Sequence, residues 1–360
     1  MPAATSATAA APASAAPAVA AGRDALRIGS LELPSRVLVA PMAGITDAPF
    51  RAIASELGAG LVTTEMVAAE AIVRSVEASL RLLDFTPGVG PVAAQLVGGD
   101  PGVMAEAAAV CVERGAMAVD VNLGCPVRKV VGIGNGAALA RDVRRTARVL
   151  GAMVDAVDVP VTAKMRLGWD SSSINAPELS RALQDAGVAA VTVHGRTRCQ
   201  GYSGWADWTE IARVREAVDI PVIGSGDVED VDVIAGRIRG GWVDGVVVAR
   251  GALGNLWIIR QAAARLGGRP VPEQPFADRI AMSRRHVAAL VDYYGERRAL
   301  KLGRKYVAWA IRGCAGAARL RARVQGLDSP ERLEELWADA LASGEHPDGR
   351  FRPVFTSGEG

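Results

Sequence analysis

Short apolar runs recur eight times between residues 36 and 251, and this repetition limits the possible folds more than any other feature of the sequence. Each run is rich in Val, Ile or Ala and lacks strict in–out alternation, which is typical of parallel strands that are buried on both faces. Stretches with helical spacing separate the runs. The runs are RVLVAP at 36, AGLVTTEM at 59, PVAAQLVG at 91, AMAVDVNLGC at 116, VPVTAKMRLG at 159, VAAVTVHGR at 188, IPVIGSGD at 220 and VDGVVVARG at 243.

Eight strand–helix units in succession predict an α/β fold of the closed (β/α)8, or TIM barrel, type. The alternative is an open doubly wound sheet, which has fewer strands and a G-x-G-x-x-G turn after the first one. The first strand here ends in APMAGITD, which is not that turn. We therefore predict a barrel, with its active site at the carboxyl ends of the strands.

The character of the sequence changes after residue 265, where GGRPVPEQP has the Pro and Gly content of a linker. The pattern is helical from about 276 to 344, so we predict a barrel over 24–265 followed by a helical domain over 276–344. Residues 1–23 are mostly Ala, Pro, Ser and Thr, without the basic start of a signal peptide, and are expected to form a disordered tail. A flexible tail is expected over 346–360.

Cations are concentrated in the predicted helical domain, although the whole chain carries a net charge of only +2. Within 279–325 there are twelve Lys and Arg residues, opposed only by Asp292 and Glu296, and four aromatic residues lie among them. One interpretation is an ordinary solvated helical face. The other is a surface that binds the phosphates of a nucleic acid.

Several functional classes find no support in the sequence. The four cysteines show no C-x-x-C spacing and only three histidines are present, so neither a metal site nor a disulfide framework is expected. No apolar run approaches the roughly 20 residues of a membrane span. We expect a cytoplasmic protein that acts as a monomer.

Polar and reactive side chains gather at the carboxyl ends of the predicted strands, although the strands themselves are apolar. A barrel that served only as a scaffold would not need them there. In chain order these strand-end residues are Pro41, Met42, Ala43, Gln95, Asn122, Cys125, Lys164, Arg166, His194, Arg196, Ser225, Gly226, Asp227 and Arg250.

The last two strands are followed by glycine-rich loops, GSGD at 224–227 and ARGALGN at 249–255. Barrels often hold a phosphate group on the backbone N–H groups of these two loops. Earlier in the chain, Lys164 lies within an apolar strand and would either stabilise negative charge on a bound ring or form a structural ion pair with Glu65. Gln95 is suited to the donor and acceptor edges of a heterocycle.

Cys125 stands in VDVNLGCPVRKV, where a strand breaks into a loop. A buried cysteine is usually only a small apolar residue, but Pro126 would hold this one rigidly at the barrel mouth. A nucleophilic cysteine needs an adjacent base, and His194 is the only mouth histidine, two strands away. An ordinary thiol, with a pKa of about 8.5, is protonated at neutral pH, so we predict that Cys125 is a general acid.

Taken together, these motifs resemble those of the tRNA-dihydrouridine synthases, flavin enzymes that reduce uridine in transfer RNA, and most closely a bacterial B-type member. The resemblance covers about residues 33–260, and the basic helical region is similar to the RNA-binding domain of that family. The combination of NLGCP with HGRTR is the most specific part. The matching stretches are APMAGITDAPFR, TEMV, QLVGGDP, VNLGCPVRKV, AKMRLGWD, TVHGRTRCQGYSG, PVIGSGD and RGALGN.

The resemblance implies FMN in the barrel mouth, NADPH or NADH as reductant, and tRNA as substrate. The implied FMN contacts are Pro41, Met42, Ala43, Gln95, Lys164, His194, Ser225, Gly226, Asp227, Ala249 and Arg250. The implied substrate contacts are Asn122, Arg166, Arg196, Arg304 and Lys305. Ser225 stands where the family has Asn, and the backbone donors of that loop should compensate for the shorter side chain.

The resemblance also implies a reaction: hydride passes from flavin N5 to C6 of a flipped D-arm uridine, and Cys125 gives a proton to C5. Two alternatives stay open at this point. One is a flavin dehydrogenase of free pyrimidines, of the dihydroorotate or dihydropyrimidine type, and the other is a non-catalytic RNA-binding barrel. The sequence leaves undecided which uridine is reduced and which nicotinamide cofactor is preferred.

Overall fold

A computed structural model describes residues 25–86 and 88–345. The tails expected at 1–23 and 346–360 lie outside the described residues. Within the described part, the chain forms an eight-stranded barrel of parallel strands and then a group of helices, so the predicted fold class is confirmed.

The barrel closes in sequence order, with the last strand paired to the first one. An antiparallel hairpin of two short strands precedes it, β1 (Leu26–Ile28) and β2 (Leu31–Leu33). The barrel strands are β3 (Val37–Val39), β4 (Val62–Ala68), β5 (Val92–Val97), β6 (Ala118–Leu123), β7 (Val161–Arg166), β8 (Ala190–His194), β9 (Val222–Ser225) and β10 (Gly245–Val248).

The hairpin closes the end of the barrel at which the strands begin, and the end at which the strands finish stays open. Leu26, Ile28 and Leu33 are fully buried among inward-facing side chains of the barrel strands. Gly29, at the hairpin turn, sits against Pro160 and Ala189, which precede β7 and β8. The sequence patterns did not reveal this hairpin, because its strands are only three residues long. Its position leaves the carboxyl ends of the strands as the accessible mouth.

Helices surround the barrel, and several begin at an aspartate whose side chain accepts a hydrogen bond from a backbone N–H group in the first turn. The helices of the barrel region are α1 (Ala48–Glu56), α2 (Ala69–Val73), α3 (Glu77–Leu80), α4 (Pro101–Glu113), α5 (Arg128–Val131), α6 (Val143–Ala156), α7 (Ala176–Asp185), α8 (Trp208–Ala217), α9 (Val231–Arg239) and α10 (Trp257–Leu266). Short 3-10 helices cover Arg81–Leu83, Gly136–Arg141 and Arg250–Ala252.

Four more helices follow the Pro-rich connection, α11 (Phe276–Tyr294), α12 (Glu296–Ala310), α13 (Ala317–Val324) and α14 (Pro330–Ser343). They have an apolar core of their own, in which Leu336 and Trp337 are fully buried. They also pack on the barrel, since the His286 ring lies edge-on to Phe50 of α1. Among the described residues, no helix combines the length and apolar character that crossing a bilayer requires.

Candidate active site at the barrel mouth

A cavity of about 670 Å³ opens at the carboxyl ends of the strands. It is lined by every residue that the resemblance assigned to FMN, together with Asn122, Cys125 and Arg166. The cavity is lined by side chains from all eight barrel strands or the loops after them, because Met66 of β4 also lines it. Three of the residues predicted to contact substrate do not line it, namely Arg196, Arg304 and Lys305.

The loop after β6 carries Cys125, which is partly accessible and has a free thiol. Its backbone is held at both ends. The Asn122 side-chain oxygen accepts hydrogen bonds from the N–H groups of Gly124 (3.1 Å) and Cys125 (2.8 Å). The Cys125 carbonyl accepts one from Ala137 at 3.2 Å. The thiol consequently occupies a defined position at the rim of the cavity.

A line of hydrogen-bonded side chains crosses the inside of the barrel below Cys125. Gln95 Oε1 accepts from Asn122 Nδ2 at 2.9 Å, and Gln95 Nε2 donates to Asp120 at 2.7 Å. The other oxygen of Asp120 accepts from the Thr162 hydroxyl at 2.7 Å. Asp120 was not among the residues predicted from the sequence. The sequence feature that could have indicated Asp120 is a carboxylate within an apolar strand, two residues before Asn122.

Lys164 lies on the cavity floor beside this line. Burial, with the charge of Arg166 adding to it, lowers the pKa of Lys164 from 10.5 to about 8, while Asp120 opposes the shift. The alternative of an ion pair with Glu65 is not what the structure has, because the Glu65 carboxylate accepts from the Gly44 N–H group. The nearby carboxylate that favours the Lys164 cation is Asp120.

His194 ends β8 and is almost fully buried. Burial, followed by the positive charges of Lys164 and Arg166, lowers its pKa well below 6.5, so the ring is neutral at neutral pH. Arg196 Nη1 lies 3.3 Å from His194 Nε2. Because a guanidinium can only donate, Nε2 accepts and the ring proton is on Nδ1. His194 is thus a neutral donor at the cavity wall.

Arg196 has no exposed surface and lies behind the residues that line the cavity. Its Nη2 donates to both oxygens of Asp227, at 2.7 and 3.0 Å, and to the Gly204 carbonyl at 2.6 Å. Asp227 also accepts from the Ala206 N–H group at 2.7 Å and has a left-handed backbone with φ +51°. This pair ties the loop after β8 to the loop after β9.

The two glycine-rich loops touch each other. A Cβ on Gly251 would lie 2.1 Å from the Val228 carbonyl oxygen, so only glycine allows this approach. The Arg250 guanidinium lies 3.7 Å from Asp227 Oδ1 and faces the Tyr202 ring at 5.0 Å. Tyr202 lines the cavity from the loop after β8 and was missed in the sequence, since nothing near it in the chain singles out that aromatic residue.

The helical region reaches the cavity through the loop between β3 and α1. Lys305 donates to the Gly44 carbonyl, and the Tyr306 hydroxyl donates to the Ile45 carbonyl at 3.0 Å. Met42, Ala43 and Ile45 of this loop line the cavity. Arg304 faces away from it and donates to the Leu327 carbonyl at 2.9 Å. Both residues that were expected to contact RNA therefore make contacts within the chain.

The sequence is similar over most of its length to known proteins. The sequence profile of the family described as "Dihydrouridine synthase (Dus)" matches residues 38–343. The chain is 39% identical over 320 residues to the "Probable tRNA-dihydrouridine synthase" of Rickettsia conorii, covering 88% of this chain and 97% of that protein. It is 38% identical over 328 residues to the "tRNA-dihydrouridine synthase B" of Xanthomonas campestris, covering 89% and 98%.

Solved structures share the fold at much lower identity. Histamine dehydrogenase from Rhizobium sp. 4-9 aligns with a TM-score of 0.57 at 13% identity, over 89% of this chain and 64% of that one. A 2-naphthoyl-CoA reductase aligns with a TM-score of 0.56 at 12% identity, over 81% and 59%. At these identities the likeness concerns the fold alone.

Proposed function

The chain belongs to the dihydrouridine synthase family, an oxidoreductase family that acts on tRNA, and from this premise we propose that it reduces a D-arm uridine of tRNA to 5,6-dihydrouridine with FMN and NAD(P)H. The observation that carries the proposal is the shared cavity. Cys125, the proposed proton donor, and all of the side chains proposed to hold FMN line the same space.

The residues present fit a flavin mononucleotide. A volume of about 670 Å³ lies within the range of roughly 300–1,000 Å³ that is usual for cofactor sites. Gln95, Lys164 and His194 offer polar atoms to the edge of a ring, while Pro41 and Met42 offer an apolar surface. The close approach of Gly251 to Val228 forms a cradle after β9 and β10, with Arg250 beside it, for the phosphate end.

When bound, FMN that NAD(P)H has reduced supplies the hydride for C6 of the uracil ring. The protein must then supply a proton to C5. We assign this role to the Cys125 thiol, since it stands at the cavity rim on a loop that its own backbone contacts hold in place. The uridine must leave the RNA stack to reach it, at a cost of about a few kcal/mol.

Two cations line the cavity, and we propose a different role for each. Lys164, on the floor, would stabilise negative charge on a flavin ring. Arg166 donates to the carbonyls of Gly124 (3.0 Å) and Gly201 (2.7 Å), and its guanidinium lies 5.5 Å from the centre of the Tyr202 ring. It joins the loop that carries Cys125 to the loop that carries Tyr202, and both loops line the cavity.

We propose that RNA approaches along α12. Arg297 and Lys301 are exposed and lie one turn apart on one face of this helix. Lys305 is the next residue along the same face, and its contact with Gly44 brings that face to the cavity mouth. Phosphates bound by Arg297 and Lys301 would therefore lead toward the cavity.

Family membership decides between the alternatives that the sequence left open. A dehydrogenase of free pyrimidines and a non-catalytic barrel both disagree with a family match that spans residues 38–343. A free pyrimidine also carries no phosphate groups that the basic face of α12 could bind.

The test compares the activities of two cysteine variants. The substrate for both is tRNA that lacks dihydrouridine. Cys125→Ala should bind FMN and accept electrons from NADPH normally, yet form dihydrouridine about 10²–10⁴-fold more slowly, the usual loss for a general acid. Cys199→Ala is the matched control, since Cys199 is a free and exposed thiol outside the cavity, and it should behave as wild type. Normal dihydrouridine formation by Cys125→Ala would refute the assignment.

A further inference from the structure

The inside of a TIM barrel is normally filled with branched apolar side chains, and Asp120 is an exception to this rule. It lies on β6 with its carboxylate inside the barrel and almost no exposed surface. A carboxylate loses much solvation at such a position, so its acceptor bonds must repay that loss. None of the catalytic roles proposed above uses it.

The bonds of Asp120 fix the orientation of two amides in turn. Gln95 and Thr162 are its register partners on the neighbouring strands β5 and β7, and both donate to it at 2.7 Å. Each Asp120 oxygen accepts one of these two bonds, so the carboxyl group selects the NH₂ end of Gln95. The oxygen of Gln95 is thereby left to face Asn122.

The orientation of the Asn122 amide is fixed in the same way by Gln95. Asn122 donates its NH₂ group to Gln95 Oε1 at 2.9 Å, so its own oxygen must face the chain that follows. That oxygen accepts from the N–H groups of Gly124 and Cys125. A rotated Asn122 would present a donor to two donors. The orientation of the Cys125 loop thus depends on a carboxyl group that is three hydrogen bonds away from the Cys125 N–H group.

We propose that Asp120 is a positioning residue that acts through Gln95 and Asn122 to hold the backbone of Cys125. The structural claim is independent of the proposed function, and only its consequence for proton delivery rests on it. Asp120 does not line the cavity in which substrate is proposed to react. Its effect on dihydrouridine formation is transmitted by the two amides.

Amide hydrogen exchange at Gly124 and Cys125 tests the claim directly, and it needs neither flavin nor tRNA. Asp120→Ala removes the acceptor for Gln95, and we expect these two amides to exchange about five- to tenfold faster, as for the loss of one hydrogen bond. Asp120→Asn should retain wild-type exchange. Its oxygen can accept from Gln95 while its NH₂ group donates to the Thr162 hydroxyl, which is able to accept.

Two further variants keep the test decisive. Gln95→Met interrupts the line with a side chain of similar shape and should also accelerate exchange, so unchanged exchange in this variant would overturn the proposal even if Asp120→Ala does not fold. Asp244→Ala is the control for general destabilisation. Asp244 precedes β10 at the closed end, where it accepts from the Val222 N–H group at 2.9 Å, and its loss should leave exchange at Gly124 and Cys125 unchanged.

Accelerated exchange in Asp120→Ala or Gln95→Met, with wild-type exchange in Asp120→Asn, supports the proposal. Unchanged exchange in Asp120→Ala, or equal acceleration in Asp120→Asn, overturns it. Dihydrouridine formation is measured on the same proteins, and we expect a fall of about tenfold for Asp120→Ala with recovery in Asp120→Asn. A wild-type protein that forms no dihydrouridine would refute the proposed function, while the exchange result would still decide the role of Asp120.

Discussion

Replacing Lys305 distinguishes two roles that the sequence could not separate. The sequence predicts a phosphate contact, whereas the structure has Lys305 donating to the Gly44 carbonyl in the loop that lines the cavity. Lys305→Met keeps the length of the side chain and removes only its charge and its donors. A hydrogen bond to a charged group contributes about 1.5–3 kcal/mol when buried. Lys305 is only partly buried, so we expect a loss of about 1 kcal/mol.

That loss would appear in the affinity for FMN, because the Gly44 loop forms one wall of the proposed flavin site. A free energy of about 1 kcal/mol corresponds to an affinity about fivefold weaker. Titration of the apoprotein with FMN, followed by flavin fluorescence, measures it. The salt dependence of tRNA binding should stay as in wild type, because in this interpretation Lys305 neutralises no phosphate.

Lys301→Met is the matched control, one turn earlier on the same face of α12. It should leave FMN affinity unchanged and lower the slope of the logarithm of tRNA affinity against the logarithm of salt concentration by about 1. If Lys305→Met lowered the salt slope and left FMN affinity unchanged, Lys305 would be an RNA contact and our interpretation of the Gly44 contact would be wrong.

Two further predictions concern the floor and the rim of the cavity. Since folding lowers the pKa of Lys164 from 10.5 to about 8, the buried cation costs stability most fully below pH 8, and this cost disappears as pH rises toward 10.5. Lys164→Met apoprotein should therefore exceed wild type by up to about 3 kcal/mol in denaturant unfolding at pH 7, and by clearly less at pH 9.5; a difference independent of pH would contradict the shift. At the rim, a Cβ on Gly136 would lie 3.0 Å from the Cys125 carbonyl oxygen, so Gly136→Ala should lower dihydrouridine formation about tenfold by moving that loop. Gly134→Ala has the same positive-φ strain without the contact, and equal activity of the two variants would refute this explanation.

The sequence was sufficient for the barrel and for most of the cavity. Strands that are buried on both faces appear in the sequence as continuous apolar runs without in–out alternation. The carboxyl ends of parallel strands must meet at one end of a barrel. The sequence alone could therefore predict that residues as distant in the chain as Met42, Cys125 and Arg250 lie at one end of the barrel, and all three line the same cavity. The hairpin below the barrel was missed because three-residue strands carry no periodic signal.

Contacts between side chains explain where the sequence-based interpretation was incomplete. A strand-end arginine such as Arg196 has the same sequence signature whether it faces a substrate or a neighbouring carboxylate, and here it is fully buried against Asp227. The same holds for Arg304, which binds the Leu327 carbonyl. Asp120 was overlooked for the opposite reason, since a single carboxylate inside an apolar strand is informative only when its partners are known.

The helical region and the proposed flavin site are not separable parts, because one wall of the cavity is held by contacts from α12. The Gly44 loop is held from the barrel side by Glu65 and from the helical side by Lys305 and Tyr306. Asp47, which caps α1 directly after this loop, has a pKa that burial raises to about 6, and the Lys305 charge opposes that shift. The proposed RNA-binding face of α12 is therefore linked, through Lys305 and Tyr306, to a wall of the cavity.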